Sequence, residues 1–258
     1  MSSGRLVIDY MKQILVAACL LLALSSAHAG QAHVAVAANF VPALELVAKK
    51  FEAGSGHRLT VSSGSSGKFY AQIKNGAPFD ILLSADAERP QKLEEAQMAV
   101  PGSRFTYALG RLVLWSPQAG MVDGEGQVLK QGQFKHLAIA NPKTAPYGEA
   151  AQEALRKMGV WDALQARLVQ GEDIGQTFQF VASGNAELGL VSLAQVKAAQ
   201  GKFQGSYWVV PQTMHQPIAQ QAVLLLKGRD NPAAREFLEF LKGKEARVVI
   251  ESFGYGLQ

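Results

Sequence analysis

Cysteine is almost missing from this chain of 258 residues: Cys19 is the only one. A lone thiol near the start excludes an internal disulfide framework, so the fold must be stable through its core. Histidine is sparse, and His33, His57, His136 and His215 are scattered with no spacing suited to a zinc site. No serine occupies a G-x-S-x-G elbow, and no glycine run has the spacing of a phosphate or dinucleotide loop. Asp80 and Asp86 flank one expected strand, but two carboxylates so placed are a poor catalytic pair, and Asp80 is read as a local backbone anchor. Charged residues make up 18% of the chain and the net charge is +4, without a basic cluster interleaved with aromatics. Nucleic acid is therefore not an expected partner. No apolar run reaches the roughly 20 residues of a membrane-spanning helix. Repeats and low-complexity linkers are absent as well. Together these gaps argue against an enzyme and against a resident cofactor.

What is present begins with an export segment. Lys12 precedes an apolar run from Ile14 to Leu24, and Ser25-Ser26-Ala27-His28-Ala29 follows with small residues at alternate positions. A basic start, a short apolar stretch and such a tail predict a secretory signal over residues 1–29, cleaved after Ala29, with Met11 as an alternative start. Cys19 falls inside the run, which continues to Leu24, so it does not mark a lipidated terminus. Removing residues 1–29 takes away Arg5, Lys12 and Asp9 and turns the chain's +4 into +3. An exported, cysteine-free chain suits a Gram-negative periplasm, and its mild positive charge assists capture of an anion.

The remainder alternates short strands with helices. Val34–Ala37, Leu59–Val61, Asp80–Ser84, Leu112–Trp115, Leu137–Ala140 and Leu188–Val191 read as strands. Leu44, Val47, Ala48 and Phe51 repeat at helical spacing, and Gly54 and Gly56 close that helix. Further helices are expected near 69–73, 89–96, 148–158, 175–183 and 193–199, with one continuous helix over 232–253. Such βαβ units predict an α/β protein with mainly parallel sheets flanked by helices. Stretches near Tyr107–Arg111 and Gln212–Gln220 read as crossovers. They divide the chain into two lobes with a ligand cleft between them: residues 30–108 with 216–258, and residues 109–215.

Four loops each follow a strand, open a helix and are rich in small residues: Ala37-Ala38-Asn39, Gly64-Ser65-Ser66-Gly67, Ala145-Pro146-Tyr147-Gly148 and Gly171-Glu172-Asp173-Ile174. Ligands in open α/β sheets bind at the carboxyl ends of strands. Helix starts there offer unpaired N–H groups and the positive end of the helix dipole. Several converging on one cleft hold a small dianion without lysine or arginine. Taken singly, each loop has a simpler role: Asn39 and Ser66 cap helices, Tyr147 packs, and Glu172 and Asp173 complement a dipole.

The stretch from Gly64 to Asp86, GSSGKFYAQIKNGAPFDILLSAD, resembles the periplasmic molybdate-binding protein family. So do Val36–Phe40, Asn141-Pro142 through Tyr147–Ala151, Glu187–Ser192 and the terminal Phe253-Gly254-Tyr255, in order along the mature chain. The resemblance implies a two-lobed periplasmic binding protein of the type II kind with a discontinuous first lobe. It implies a monomer that captures molybdate, and tungstate with it, by neutral hydrogen-bond donors and delivers it to the membrane permease of an ABC importer. Carried over by position, the donors are Ala38 or Asn39, Ser66, Tyr147 and Ile174, the last two through backbone N–H groups, with no direct ligand to the metal atom. Some members add a tyrosine hydroxyl after the Gly-Leu-Val strand, where this chain has Ser192, too short to reach; the Asn39 side chain is expected to replace it. Alternative readings are a binding protein for sulfate, phosphate or another small anion, or the ligand-sensing lobe pair of a regulator.

Overall fold

The computed structural model describes residues 29–257. All of the expected export segment except Ala29, and Cys19 with it, lies outside them.

Two five-stranded sheets are built on one plan. The first contains β1 (Gln31–Ala37), β2 (Arg58–Gly64), β3 (Ile81–Leu83), β4 (Phe105–Gly110) and β10 (Ile218–Leu224), in the order β2-β1-β3-β10-β4. The second contains β5 (Leu112–Ser116), β6 (Leu137–Ala140), β7 (Leu168–Gly171), β8 (Leu188–Ser192) and β9 (Ser206–Val209), in the order β7-β6-β8-β5-β9. In each, three parallel strands lie to one side and the fourth strand runs antiparallel to both its neighbours. The sheets are thus mixed. Where the sequence suggested crossovers, the chain makes strands on both sides of them: β4 ends at Gly110, Arg111 alone intervenes, and β5 begins in the other sheet. The return runs from Val210 to Pro217 before β10.

Helices cover both sheets: α1 (Val41–Ser55), α2 (Ser66–Lys74), α3 (Glu88–Glu95), α4 (Val128–Gln131), α5 (Pro146–Lys157), α6 (Trp161–Leu164), α7 (Ile174–Ala182), α8 (Leu193–Ala198), α9 (Pro232–Lys242) and α10 (Lys244–Ser252). The expected helix over 232–253 is two helices, because Gly243 adopts an extended backbone (φ −73°, ψ 163°) between them. Phe237, Leu238 and Leu241 of α9 are buried with Val34, Val36, Phe40 and Leu44, so the last segment packs on the first sheet. Each such side chain contributes about 1.5–3 kcal/mol by leaving water.

Asn231 starts α9 and ties it down. Its Oδ1 accepts from Ala233 N–H at 3.1 Å and its Nδ2 donates to the Gln31 carbonyl of β1 at 2.8 Å. Replacing a cap of this kind with alanine costs about 1 kcal/mol. Asn231→Ala is therefore expected to lower the urea midpoint by that amount at an unchanged slope, with anion affinity untouched.

Candidate functional site

The four loops lie at the carboxyl ends of β1, β2, β6 and β7, and the structure brings them together across the seam between the sheets. The Gly67 N–H donates to the Thr144 carbonyl at 2.9 Å, and Lys68 pairs with Glu172. Ala38 lies so close to Gly175 that a Cβ on the glycine would be 3.2 Å from the alanine methyl. Ala37 and Ala85 of the first lobe share one apolar cluster with Ala140, Ala145, Tyr147 and Ile174 of the second. Asn39 and Ser66 are fully buried, and Tyr147 and Ile174 nearly so.

What each loop offers follows from its helix start. The first turn of a helix has N–H groups with no partner inside the helix. At α7 the Asp173 carboxylate accepts from Gly175 and Gln176 at 2.8 and 2.9 Å, and Thr177 N–H bonds the Asp173 carbonyl, which leaves the Ile174 N–H. At α5 the first residue, Pro146, has no N–H, and Gly148 and Glu149 both donate to the Ala145 carbonyl, which leaves Tyr147. At α2 the Ser65 hydroxyl takes the Lys68 N–H, Gly67 bonds Thr144 and Phe69 bonds Ser65, which leaves Ser66. The turn Ala38–Phe40 that opens α1 has no side-chain cap. Ser66 adds a second donor: its Oγ accepts the Ala85 N–H at 2.9 Å, so the hydroxyl proton is free to point elsewhere.

The Asn39 amide does something other than the sequence suggested. Nδ2 donates to Gln220 Oε1 at 2.6 Å and to the Tyr255 hydroxyl at 3.0 Å. Tyr255 in turn donates to the Asn39 carbonyl at 2.9 Å, so its oxygen needs a donor, and this fixes the amide's orientation. Burial raises the Tyr255 pKa well above the ordinary phenol range, against the opposing pull of its Asn39 and Gln220 hydrogen bonds, so it remains a donor. The donor Asn39 has left for the cleft is its backbone N–H, the same kind of group that Ala38 offers, while its Oδ1 is buried without a hydrogen-bond partner. Ser192 is also committed. It caps α8 in a reciprocal box with Gln195, whose Nε2 donates to the Ile174 carbonyl at 2.9 Å. Ser192 thus steadies the Ile174 loop from behind.

The supporting roles of Gln195, Gln220, Tyr255, Ala85 and Thr144 were not read from sequence, although Tyr255 belongs to the terminal Phe-Gly-aromatic motif that carries part of the resemblance. Only the Ser192-x-x-Gln195 spacing carried a readable signal, that of a capping box. Two cations beside the seam are paired, Lys68 with Glu172 and Arg89 with Asp86. Among the described residues no group of three or more His, Cys, Asp or Glu is placed to hold a metal ion. The seam therefore presents neutral donors at the positive ends of helices, an arrangement that favours a small anion accepting hydrogen bonds.

Two lobes on one plan, joined by two crossovers and meeting at helix starts, define a solute-binding protein. The chain belongs to the bacterial extracellular solute-binding proteins, whose family model matches residues 32–256. Among its relatives, the molybdate-binding protein ModA of Azotobacter vinelandii is 52% identical over 233 residues, covering 90% of this chain and 92% of that one. The molybdate-binding protein ModA of Rhodobacter capsulatus is 49% identical, covering 91% of each. A solved structure of the Azotobacter vinelandii periplasmic molybdate-binding protein superposes with a TM-score of 0.85 at 44% identity, over 88% of this chain and 99% of that one.

Proposed function

We propose that this protein captures molybdate, and tungstate equally, in the periplasm and hands it to the permease of an ABC importer. The observation that carries the reading is the set of donors left over where four capped or turned helix starts meet. In this reading the ion accepts from the Ser66 hydroxyl and from the N–H groups of Ser66, Tyr147, Ile174 and Asn39, with the Ala38 N–H beside it. Residues 30–110 with 218–258 then act as one lobe and 111–217 as the other, closing on the ion as a monomer.

The donor set selects by protonation. Molybdate carries no proton at neutral pH and only accepts hydrogen bonds. Phosphate retains a proton there and needs an acceptor, and the two carboxylates in these loops are both engaged, Asp173 by its own helix and Glu172 by Lys68. Sulfate shares molybdate's charge and lack of a proton, so size alone separates the two. A thermal-shift panel tests this. Molybdate and tungstate at about 100 times Kd should each stabilise the protein by roughly 2.7 kcal/mol, and phosphate should not. A shift with phosphate and none with molybdate refutes the assignment; a shift with sulfate alone replaces the ligand but keeps the donors.

Glu149 of α5 has a raised pKa, first from burial, then from Glu153, with Arg89 opposing and Glu88 and Asp86 of the first lobe adding to the rise. A carboxylate raised in this way contributes stability below its ordinary pKa, and that contribution is lost as pH rises through the raised value. At neutral pH the charge therefore opposes folding, weakly because the group is largely solvated. Glu149→Gln is expected to raise stability slightly at pH 7 and to flatten the pH dependence of unfolding between pH 7 and 5, read by urea melts.

A further inference from the structure

Tyr147 has two ends, and only one is accounted for by the site. Its N–H is the leftover donor of α5; its hydroxyl is buried and has no hydrogen-bond partner. The position of that hydroxyl is specific. A Cβ on Gly110 would lie 2.3 Å from the Tyr147 hydroxyl, 3.0 Å from Tyr147 Cζ and 2.9 Å from Ile218 Cγ2. Gly110 is the last residue of the outgoing strand β4 and Ile218 the first residue of the returning strand β10, and the two are directly paired. The backbone of Arg111, the single residue between the two sheets, lies near the same oxygen without bonding it. One ring from the second lobe thus touches both places where the chain passes between lobes. Burial pushes the Tyr147 pKa up, with smaller contributions from Tyr255 and Tyr107, so the group stays neutral there.

We propose that Tyr147 is a positioning residue whose hydroxyl, seated against Gly110 and Ile218, is the stop that sets the closed angle of the lobes. The tyrosine ring is rigid, so the stop is held at a fixed distance from the backbone N–H that faces the ion. Glycine at 110 is what admits it, since any Cβ there overlaps the hydroxyl oxygen. A buried polar group without a partner is costly, so its presence calls for a physical reason. The inference rests on the proposed site only for the role of the Tyr147 N–H; the hinge contact stands on geometry alone.

The test uses the mature protein, which has no cysteine of its own if cleavage follows Ala29, so spin labels can be attached through Glu45→Cys and Ala163→Cys, one in each lobe. Label distances and calorimetric affinity for molybdate are measured in the parent, Gly110→Ala, Tyr147→Phe and the double variant, each first shown to be folded. Gly110→Ala is expected to weaken molybdate about tenfold and to hold the labels short of the closed distance. Tyr147→Phe alone should let the labels approach more closely than in the parent, because the oxygen that stops closure is gone. In the double variant, loss of the oxygen removes the 2.3 Å overlap, and part of both closure and affinity should return. Normal closure in Gly110→Ala overturns the proposal, and so does a loss that Tyr147→Phe fails to relieve, which would mark ordinary strand damage between β4 and β10. Failure of the parent to bind molybdate sinks the site reading instead. The ligand-free label distances then decide the hinge, because the contact needs no ion. If Gly110→Ala does not fold, the ligand-free distances of Tyr147→Phe decide alone: a closer approach of the labels supports the stop, and an unchanged distance overturns it.

Discussion

Ser66→Ala is expected to weaken molybdate binding by roughly 10- to 150-fold. A hydrogen bond to a charged group is worth about 1.5–3 kcal/mol, and 1.4 kcal/mol is a factor of ten. Ser66 has a hydroxyl proton to give to the ion, because its oxygen already accepts from Ala85. The same bond complicates the experiment: alanine leaves the Ala85 N–H unpaired, which costs stability by about 1–3 kcal/mol whether or not an ion is bound. Ser65→Ala separates the two effects. Ser65 caps the same helix through the Lys68 N–H, so its loss costs about 1 kcal/mol of stability and should leave affinity nearly unchanged. Calorimetry on both variants, below their melting temperatures, is the measurement. An affinity for Ser66→Ala within about threefold of the parent, a difference under 1 kcal/mol, removes the hydroxyl from the donor set.

Gly67→Ala should change stability and affinity in opposite directions. Gly67 lies in the first turn of α2, and its φ is not in the left-handed region, so alanine fits the helix and raises its stability by roughly 0.5–1 kcal/mol. Across the seam, however, the added Cβ would sit 2.7 Å from the Thr144 carbonyl oxygen and 2.9 Å from Thr144 Cα. Both are backbone atoms that cannot swing aside. Overpacking of this kind costs about 1–3 kcal/mol, and here it is felt only when the lobes meet, so molybdate affinity should fall roughly 5- to 150-fold. Urea unfolding without ligand and calorimetry with molybdate read the two effects. A variant that loses stability and affinity together would mean that the glycine serves the lobe and not the seam.

The fold was legible where local chemistry and tertiary packing agree. Short apolar runs marked β1, β3, β5, β6 and β8, and α1 was plain from Leu44, Val47 and Phe51 because one face is buried throughout. The strands that change lobes were harder. β10 carries Gln220 and Gln221 in its middle, which reads as a loop until the partners are known: Gln220 is fully buried to meet Asn39, and Gln221 bonds Arg104 and Thr106. Tyr207 and Val209 of β9 are exposed, so no apolar run announced that strand. The break at Gly243 is one residue in an otherwise helical pattern.

At the site the four loops could be found because helix starts have a composition. Their division of labour could not. Whether Asn39 gives its amide or its N–H depends on Tyr255, 216 residues away, and no local pattern encodes that. The leftover N–H of Ile174 was readable in principle, since aspartate at a cap takes the donors two and three residues on and skips the one between. That of Ser66 was not, because it depends on Gly67 meeting Thr144 across the seam.

The central claim is that neutral donors from both lobes hold the ion with no charged side chain at all. A crystal grown with molybdate, with the ion located by the anomalous scattering of molybdenum, tests it directly. The metal should lie so that its oxygens are about 2.7–3.2 Å from the Ser66 hydroxyl and from the N–H groups of Ser66, Tyr147, Ile174 and Asn39. A molybdenum peak elsewhere, or one whose oxygens are held by a lysine or arginine side chain, contradicts the account.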